Sequence, residues 1–213
     1  HLQGRVHFLH HAVEAATFHD SVSARQALGI PLGAYCYGTV GRLVRKKSHK
    51  SLIEAFASLQ GDSVLAFIGD GELMPALKLL AKKFGVQDRV LFCGAKDEAR
   101  KLMKAFDAFV LSSTSEEAFG LVLLEAMAAQ VPIVCSNAPG PASVIDDVGL
   151  LFDCENVPDL ARQMEAVRAL SKSNSDDMTQ KALDRLSAKF SVPFMVQKLR
   201  SLPAIEQHAP VTG

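Results

Sequence analysis

Two glutamates in the segment EAFGLVLLEAM, residues 117–127, have a spacing that suits a binding site at the start of a helix. Seven residues separate Glu117 from Glu125, which corresponds to a little over two helical turns. Both carboxylates can therefore face the same side of the chain, close to the N-terminus of a helix. Such a helix start offers free backbone N–H groups and a positive dipole end, which suit a phosphate, while carboxylates suit sugar hydroxyls. The pattern indicates a nucleotide-sugar site. The alternative is a surface helix whose apolar residues serve only the core.

The elements around this segment alternate between strand and helix. Before it lies FDAFVLSS, residues 106–113, an apolar run typical of a buried strand. Similar runs occur at residues 5–10, 34–40, 63–68, 89–93, 131–135 and 149–152. Helical periods occupy residues 48–59, 72–84, 96–106 and 119–130, with a weak one at 141–147. The alternation predicts an α/β fold with a Rossmann-like, doubly wound parallel sheet and helices on both faces.

After residue 158 the chain is expected to be wholly helical, over residues 158–170, 175–190 and 193–202. We predict one domain over residues 1–203 and a disordered tail at 204–213, because neither an internal repeat nor a low-complexity linker interrupts the chain. A strand beside His1, without a preceding methionine, favours a piece of a longer polypeptide.

Composition limits the classes of function. The chain has 213 residues, of which 48% are hydrophobic, enough for a substantial core. The 23 basic and 23 acidic side chains balance, which argues against nucleic acid as a partner. The four scattered cysteines indicate free thiols in a reducing compartment, and no apolar run is long enough to span a bilayer. These features favour a cytoplasmic protein.

The loop after the strand at residues 34–40 carries cations suited to a diphosphate. Gly41 lets the backbone approach a ligand, Arg42 supplies a forked cation and Lys47 a point-like one. The alternative is a solvated basic edge, which we favour for Arg45, Lys46 and Lys50.

Two other loops follow predicted strands. Gly94, Ala95 and Lys96 end one strand, where exposed backbone could pair with a base, although a plain connecting loop is the alternative. The Gly-Asp-Gly at residues 69–71 is a turn signal, and the sequence contains no G-x-G-x-x-G fingerprint. This absence disfavours a nicotinamide oxidoreductase.

Taken together, several motifs resemble the donor-binding half of the family-4 glycosyltransferases, whose GT-B fold has two facing Rossmann-like domains. In chain order they are GRLV with Lys47 and His49 downstream, LAFIGDGELMPALKLLA, RVLFCG, SSTSEEAFGLVLLEAMAAQVPIVCSN and GLLFD. The resemblance covers nearly the whole chain. One departure is Gln130, where the family usually has glycine.

The resemblance implies a role for each matching residue. Arg42 and Lys47 would grip the donor diphosphate, Glu117 the hydroxyls of the transferred sugar, and Glu125 the ribose hydroxyls. The backbone of the helix start would meet the donor sugar and phosphate, and a second loop would border the base. These two segments comprise Ala118, Phe119, Gly120 and Leu121 at the helix start, and Gly94, Ala95 and Lys96 at the base.

The resemblance also implies a reaction: transfer of a sugar from a UDP-, GDP- or ADP-sugar to a glycan or lipid-linked acceptor, with retention and without cofactor or metal. Polysaccharide or lipopolysaccharide biosynthesis is the implied setting, at the inner membrane face for the full-length protein. An N-terminal acceptor domain is missing from the sequence, so the chain alone should bind nucleotide but turn over poorly or not at all. A stand-alone nucleotide-sugar-binding module is the alternative.

Overall fold

A computed structural model describes residues 17–201 as one sheet covered by helices. The described strands are β1 (Cys36–Val40), β2 (Val64–Ile68), β3 (Val90–Phe92), β4 (Ala108–Leu111), β5 (Ile133–Ser136) and β6 (Leu150–Phe152). They pair in parallel in the order β3-β2-β1-β4-β5-β6. The predicted Rossmann-like parallel sheet is therefore confirmed. The strand predicted at residues 5–10 and the tail at 204–213 lie outside the described residues.

Helices follow most of the strands. They are α1 (Ser21–Leu28), α2 (His49–Ser58), α3 (Met74–Lys83), α4 (Leu121–Ala128), α5 (Pro139–Ile145), α6 (Val157–Arg168), α7 (Lys172–Lys189) and α8 (Val192–Arg200). The last three confirm the predicted helical C-terminal segment. None of the helices between residues 17 and 201 combines the length and apolar character needed to cross a membrane.

The helix prediction for residues 96–106 was wrong in kind, since this segment contains a 3₁₀ helix at Ala99–Ala105. It begins after Glu98, whose φ of 55° lies in the left-handed region and breaks the helical path at that residue. Helix α1 was not predicted at all. It starts at the N-cap Asp20, whose carboxylate accepts the N–H of Ser23.

The two faces of the sheet carry separate hydrophobic cores because strand side chains alternate in direction. On β2, Val64, Ala66 and Ile68 face one core, while Leu65 and Phe67 face the other. The first core also contains residues of α1, α4, α5 and α7, and the second contains residues of α2, α3 and α6. Helices therefore cover both faces.

The strand order reverses between β1 and β4. From β1 the chain proceeds outward to β2 and β3, and it then returns to place β4 on the other side of β1. The loops that leave β1 and β4 consequently run to opposite sides of the sheet and leave a crevice at the strands' carboxyl ends. Ligands in open α/β sheets bind at this kind of position.

Candidate functional site

A depression of about 470 Å³ opens at the reversal point between β1 and β4. The loop after β1, the loop after β4 and the first turns of α4 form its walls. Its lining consists of Val40, Gly41, Arg42, Lys46, Lys47, Glu117, Ala118, Phe119, Gly120, Leu121, Val122 and Glu125. Residues more than seventy positions apart in the sequence thus share one concave surface.

An ion pair joins the two walls of the depression. Lys47 Nζ lies 2.6 Å from Glu117 Oε2, and the two side chains are only 15% and 10% exposed. Ser113 Oγ donates a hydrogen bond to the same oxygen at 3.3 Å. Burial raises the pKa of the Glu117 carboxyl, but the hydrogen bond and charge of Lys47, together with the charge of Lys46 and the hydrogen bond from Ser113, lower it more, so that the pKa lies below its ordinary value. Glu117 is therefore a carboxylate at neutral pH.

Two further hydrogen bonds hold the loops in this arrangement. Ser112 Oγ donates to the carbonyl of Lys47 at 2.9 Å, and the N–H of Thr114 donates to the carbonyl of Lys46 at 2.8 Å. Both donors follow β4 and both acceptors follow β1. The backbone of the cationic loop is thereby fixed against the loop that carries Glu117.

The loop that carries Glu117 packs directly on the start of α5 at Gly140. A Cβ atom at this position would lie 2.2 Å from the Ala118 carbonyl oxygen and 2.6 Å from that of Glu117. Only glycine permits so close an approach. The Pro- and Gly-rich segment at residues 137–143 therefore supports the wall of the depression from behind.

Helix α4 points its N-terminus into the depression. The helix begins at Leu121, after Gly120, whose φ of 84° lies in the left-handed region. In the part of the chain that the structure describes, no side chain caps this helix start. Its first N–H groups and the positive end of its dipole are consequently placed to receive an anion.

Glu125 has a different environment from Glu117. It is half-buried on the second turn of α4, and within the described residues no side-chain hydrogen bond reaches its carboxylate. Burial raises the pKa of Glu125, and the positive charge of Arg100 opposes that rise only in part. A hydroxyl donor in the depression would supply the hydrogen bonds that this carboxylate lacks.

The structure brings most of the predicted site residues together. Gly41, Arg42, Lys47, residues 117–121 and Glu125 all line the depression. Gly94, Ala95 and Lys96 do not line it. They follow the edge strand β3, where the Gly94 carbonyl accepts the N–H of Gly69 at 2.9 Å. Of the residues described, no group of three or more histidines, cysteines or acidic residues is arranged to hold a metal ion.

The sequence favoured a solvated basic edge for Lys46, and the structure places this residue at the depression. Lys46 is half-buried and lines the depression beside Arg42 and Lys47. Its neighbour Arg45 and the nearby Lys50 are exposed and line a separate cavity of about 460 Å³. Lys46 stands between two other cations, Arg45 and Lys47, and the sequence contains no local signal that distinguishes it as a residue of the site.

Comparisons with known proteins agree on one family. The family described as "Glycosyl transferases group 1" matches residues 20–185. Lipopolysaccharide core biosynthesis glycosyltransferase LpsE of Rhizobium meliloti is 38% identical over 147 residues, which cover 68% of this chain and 43% of the relative. LpsD of the same organism is 33% identical over 147 residues, which cover 68% of this chain and 42% of that protein. The chain thus spans less than half the length of these curated relatives.

A solved structure gives the corresponding likeness in three dimensions. Anabaena Alr3699/HepE, crystallised in complex with UDP-glucose, superimposes with a TM-score of 0.77 at 26% sequence identity. The match covers 86% of this chain and 53% of that protein.

Proposed function

Because the chain belongs to the group 1 glycosyl transferases, we propose that it is the C-terminal, donor-binding domain of a family-4 enzyme with the GT-B fold. The observation that carries this proposal is the depression at the reversal point of the sheet, where cations face an uncapped helix start. The enzyme would transfer a sugar from a nucleoside diphosphate sugar to a glycan or lipid-linked acceptor. Anabaena Alr3699/HepE, which is similar to this chain, binds UDP-glucose and makes a UDP-sugar the first donor to test.

In this proposal the diphosphate lies between the loop after β1 and the start of α4. Arg42 donates forked hydrogen bonds to phosphate oxygens, and the first N–H groups of α4 donate from the opposite wall. Lys47 gives one of its three N–H donors to Glu117 and keeps the others for the diphosphate. These groups are in place before the reaction, so they would stabilise the charge that develops on the leaving nucleotide without reorganisation.

Glu117 and Glu125 would each bind a different set of hydroxyl groups on the donor. Glu117 is already ionised and held by Lys47, close to the phosphate end, so we assign it to the transferred sugar. Glu125 lies on the second turn of α4, and within the described residues no side-chain hydrogen bond reaches its carboxylate, so we assign it to the ribose. The base would be bordered by Gly94, Ala95 and Lys96, which follow β3 at the carboxyl end of the sheet, where the depression also lies.

The chemistry follows from the same arrangement. Fixed cations and backbone N–H groups would neutralise the departing diphosphate, so we propose transfer without a metal. Retention of anomeric configuration is proposed only because the resemblance to the family implies it. The acceptor would bind to a facing N-terminal domain outside this sequence. Since catalysis depends on holding donor and acceptor together, we expect the 213-residue chain alone to bind nucleotide without appreciable turnover.

Calorimetric titration of the chain with UDP, GDP and ADP, without added metal, tests this function. We expect binding that is selective for one base and that Glu125→Ala weakens while the fold persists. Glu117→Ala should weaken sugar-nucleotide binding more than binding of the nucleotide alone. Equal losses for both ligands in both variants would contradict the division of roles, and no binding of any nucleotide would contradict the donor-site assignment for this chain.

A further inference from the structure

We propose that Lys46 is a further donor-binding cation and that it sets the preference of this site for a dianionic diphosphate. This inference rests on the proposed function and deepens it. Lys46 lines the depression together with Arg42 and Lys47, and its side chain is half-buried rather than free in solvent.

A hydrogen bond between two loops holds the backbone of Lys46. Lys46 lies in the 3₁₀ helix Arg45–Lys47, and its carbonyl accepts the N–H of Thr114 at 2.8 Å. This bond connects the residue to the loop that carries Glu117. The charge of Lys46 contributes to lowering the pKa of Glu117, which agrees with an ammonium group near the ion pair.

Lys46 changes the charge balance of the depression. Lys47 and Glu117 neutralise each other across 2.6 Å, so together they add no net charge for a ligand. The carboxylate of Glu125 lines the same depression and offsets the charge of Arg42, so without Lys46 the charged side chains of the lining would sum to zero. With Lys46 included, the lining carries one net positive charge toward the diphosphate of a sugar nucleotide, which is a dianion at neutral pH.

Arg45 provides a matched comparison within the same turn. It carries the same charge and sits one residue earlier in the same 3₁₀ helix, but it is exposed and lines the separate cavity. Removing either side chain changes the net charge of the protein equally. A difference between the two variants therefore reports contact with the ligand rather than the general field of the protein.

The experiment titrates UDP-, GDP- and ADP-glucose into wild type, Lys46→Met, Lys46→Arg and Arg45→Met at low and high salt. We expect Lys46→Met to weaken donor binding about tenfold at low salt, because a charge-assisted hydrogen bond to phosphate is lost at a partly exposed site. Arg45→Met should change affinity less than about twofold, and Lys46→Arg should retain most of it. The dependence of affinity on salt should be smaller in Lys46→Met than in wild type.

The possible outcomes separate the two proposals. Equal losses in Lys46→Met and Arg45→Met, or an unchanged affinity in Lys46→Met, would overturn the role of Lys46 and leave donor binding intact. No binding of any sugar nucleotide to wild type would contradict donor binding by this chain, and the role of Lys46 with it. Circular dichroism and thermal melting of each variant exclude loss of fold as the cause of weaker binding.

Discussion

Replacing His49 with phenylalanine should remove much of the acid sensitivity of the fold. His49 is the first residue of α2 and is only 2% exposed, with its ring edge-to-face against Phe67 at 5.2 Å. Its Nδ1 atom has no hydrogen-bond partner among the described residues. Burial, with the nearby charge of Lys47, lowers the pKa of His49 from 6.5 to about 4.

The sign of the effect follows from which state takes up the proton. The unfolded chain protonates His49 below pH 6.5, whereas the folded chain keeps it neutral until about pH 4. Stability is therefore complete above pH 6.5 and is lost as the pH falls toward 4. One proton corresponds to about 1.4 kcal/mol per pH unit, so His49 should account for about 2 kcal/mol of lost stability between pH 6.5 and 5.

Urea denaturation at several pH values between 5 and 7 measures this loss. The interval lies above the ordinary carboxyl pKa of 4.5, below which the lowered pKa of Glu117 adds its own loss of stability. The raised pKa of Glu125 acts in the opposite direction, because burial of its ionised form costs stability as the pH rises. His49→Phe keeps the ring and removes both nitrogens, so its stability should depend much less on pH.

The exposed His19 supplies the control, because His19→Gln removes a histidine without disturbing the core. We expect this variant to lose stability on acidification as wild type does. The reasoning would be refuted if wild type were equally stable at pH 5 and 7, or if His49→Phe lost as much stability as wild type.

Three further substitutions test the framework of the site. Glu117→Gln should cost about 2 kcal/mol in urea unfolding at pH 7, because it leaves the ammonium of Lys47 without its partner in a mostly buried setting. The control Glu54→Gln should cost less than about 0.5 kcal/mol, because the lysine of its longer ion pair, Lys50, is exposed to solvent. Gly140→Ala should cost about 2 kcal/mol in the same assay and weaken sugar-nucleotide binding, since its Cβ would overlap the Ala118 carbonyl; Gly33→Ala, in open space, should change neither. Gln130→Gly should raise the free energy of unfolding by up to about 1 kcal/mol, measured by thermal melting, because Gln130 has a φ of 55°; an unchanged or lower melting temperature would contradict that reason.

Much of the fold could be predicted because the signals for strands and helices are local. The apolar run at residues 106–113 contains β4, and the residues after it begin α4, as the pattern indicates. Helix α1 was missed because eight residues with few apolar positions give a weak helical period; it is stabilised by packing Ala24 and Leu28 into a core shared with the distant 3₁₀ helix. The change from α to 3₁₀ helix at residues 99–105 likewise has no strong sequence signal.

Part of the candidate site followed from the same local signals. The sequence places Arg42, Lys47 and the segment from Glu117 to Glu125 in or beside loops that follow parallel strands, and such loops all lie at the carboxyl ends of the sheet. That these residues bind one donor together was implied only by the resemblance to the glycosyltransferase family, because the order of strands in the sequence does not tell which strands are neighbours. Helical spacing alone does not position Glu117, however, because α4 begins only at Leu121. Its carboxylate is held by Lys47 and Ser113 from outside that helix.

Residue types and their spacing were enough to predict the order of most strands and helices and the loops that carry polar chemistry, because burial and hydrogen bonding within short segments depend on them. Which neighbouring side chains enter the site depends instead on packing between distant segments. Arg45 and Lys46 are adjacent cations, yet one is exposed beside another cavity and the other lines the depression. That difference arises from how the loop after β1 packs against Thr114 and the loop after β4, a contact between segments far apart in the chain.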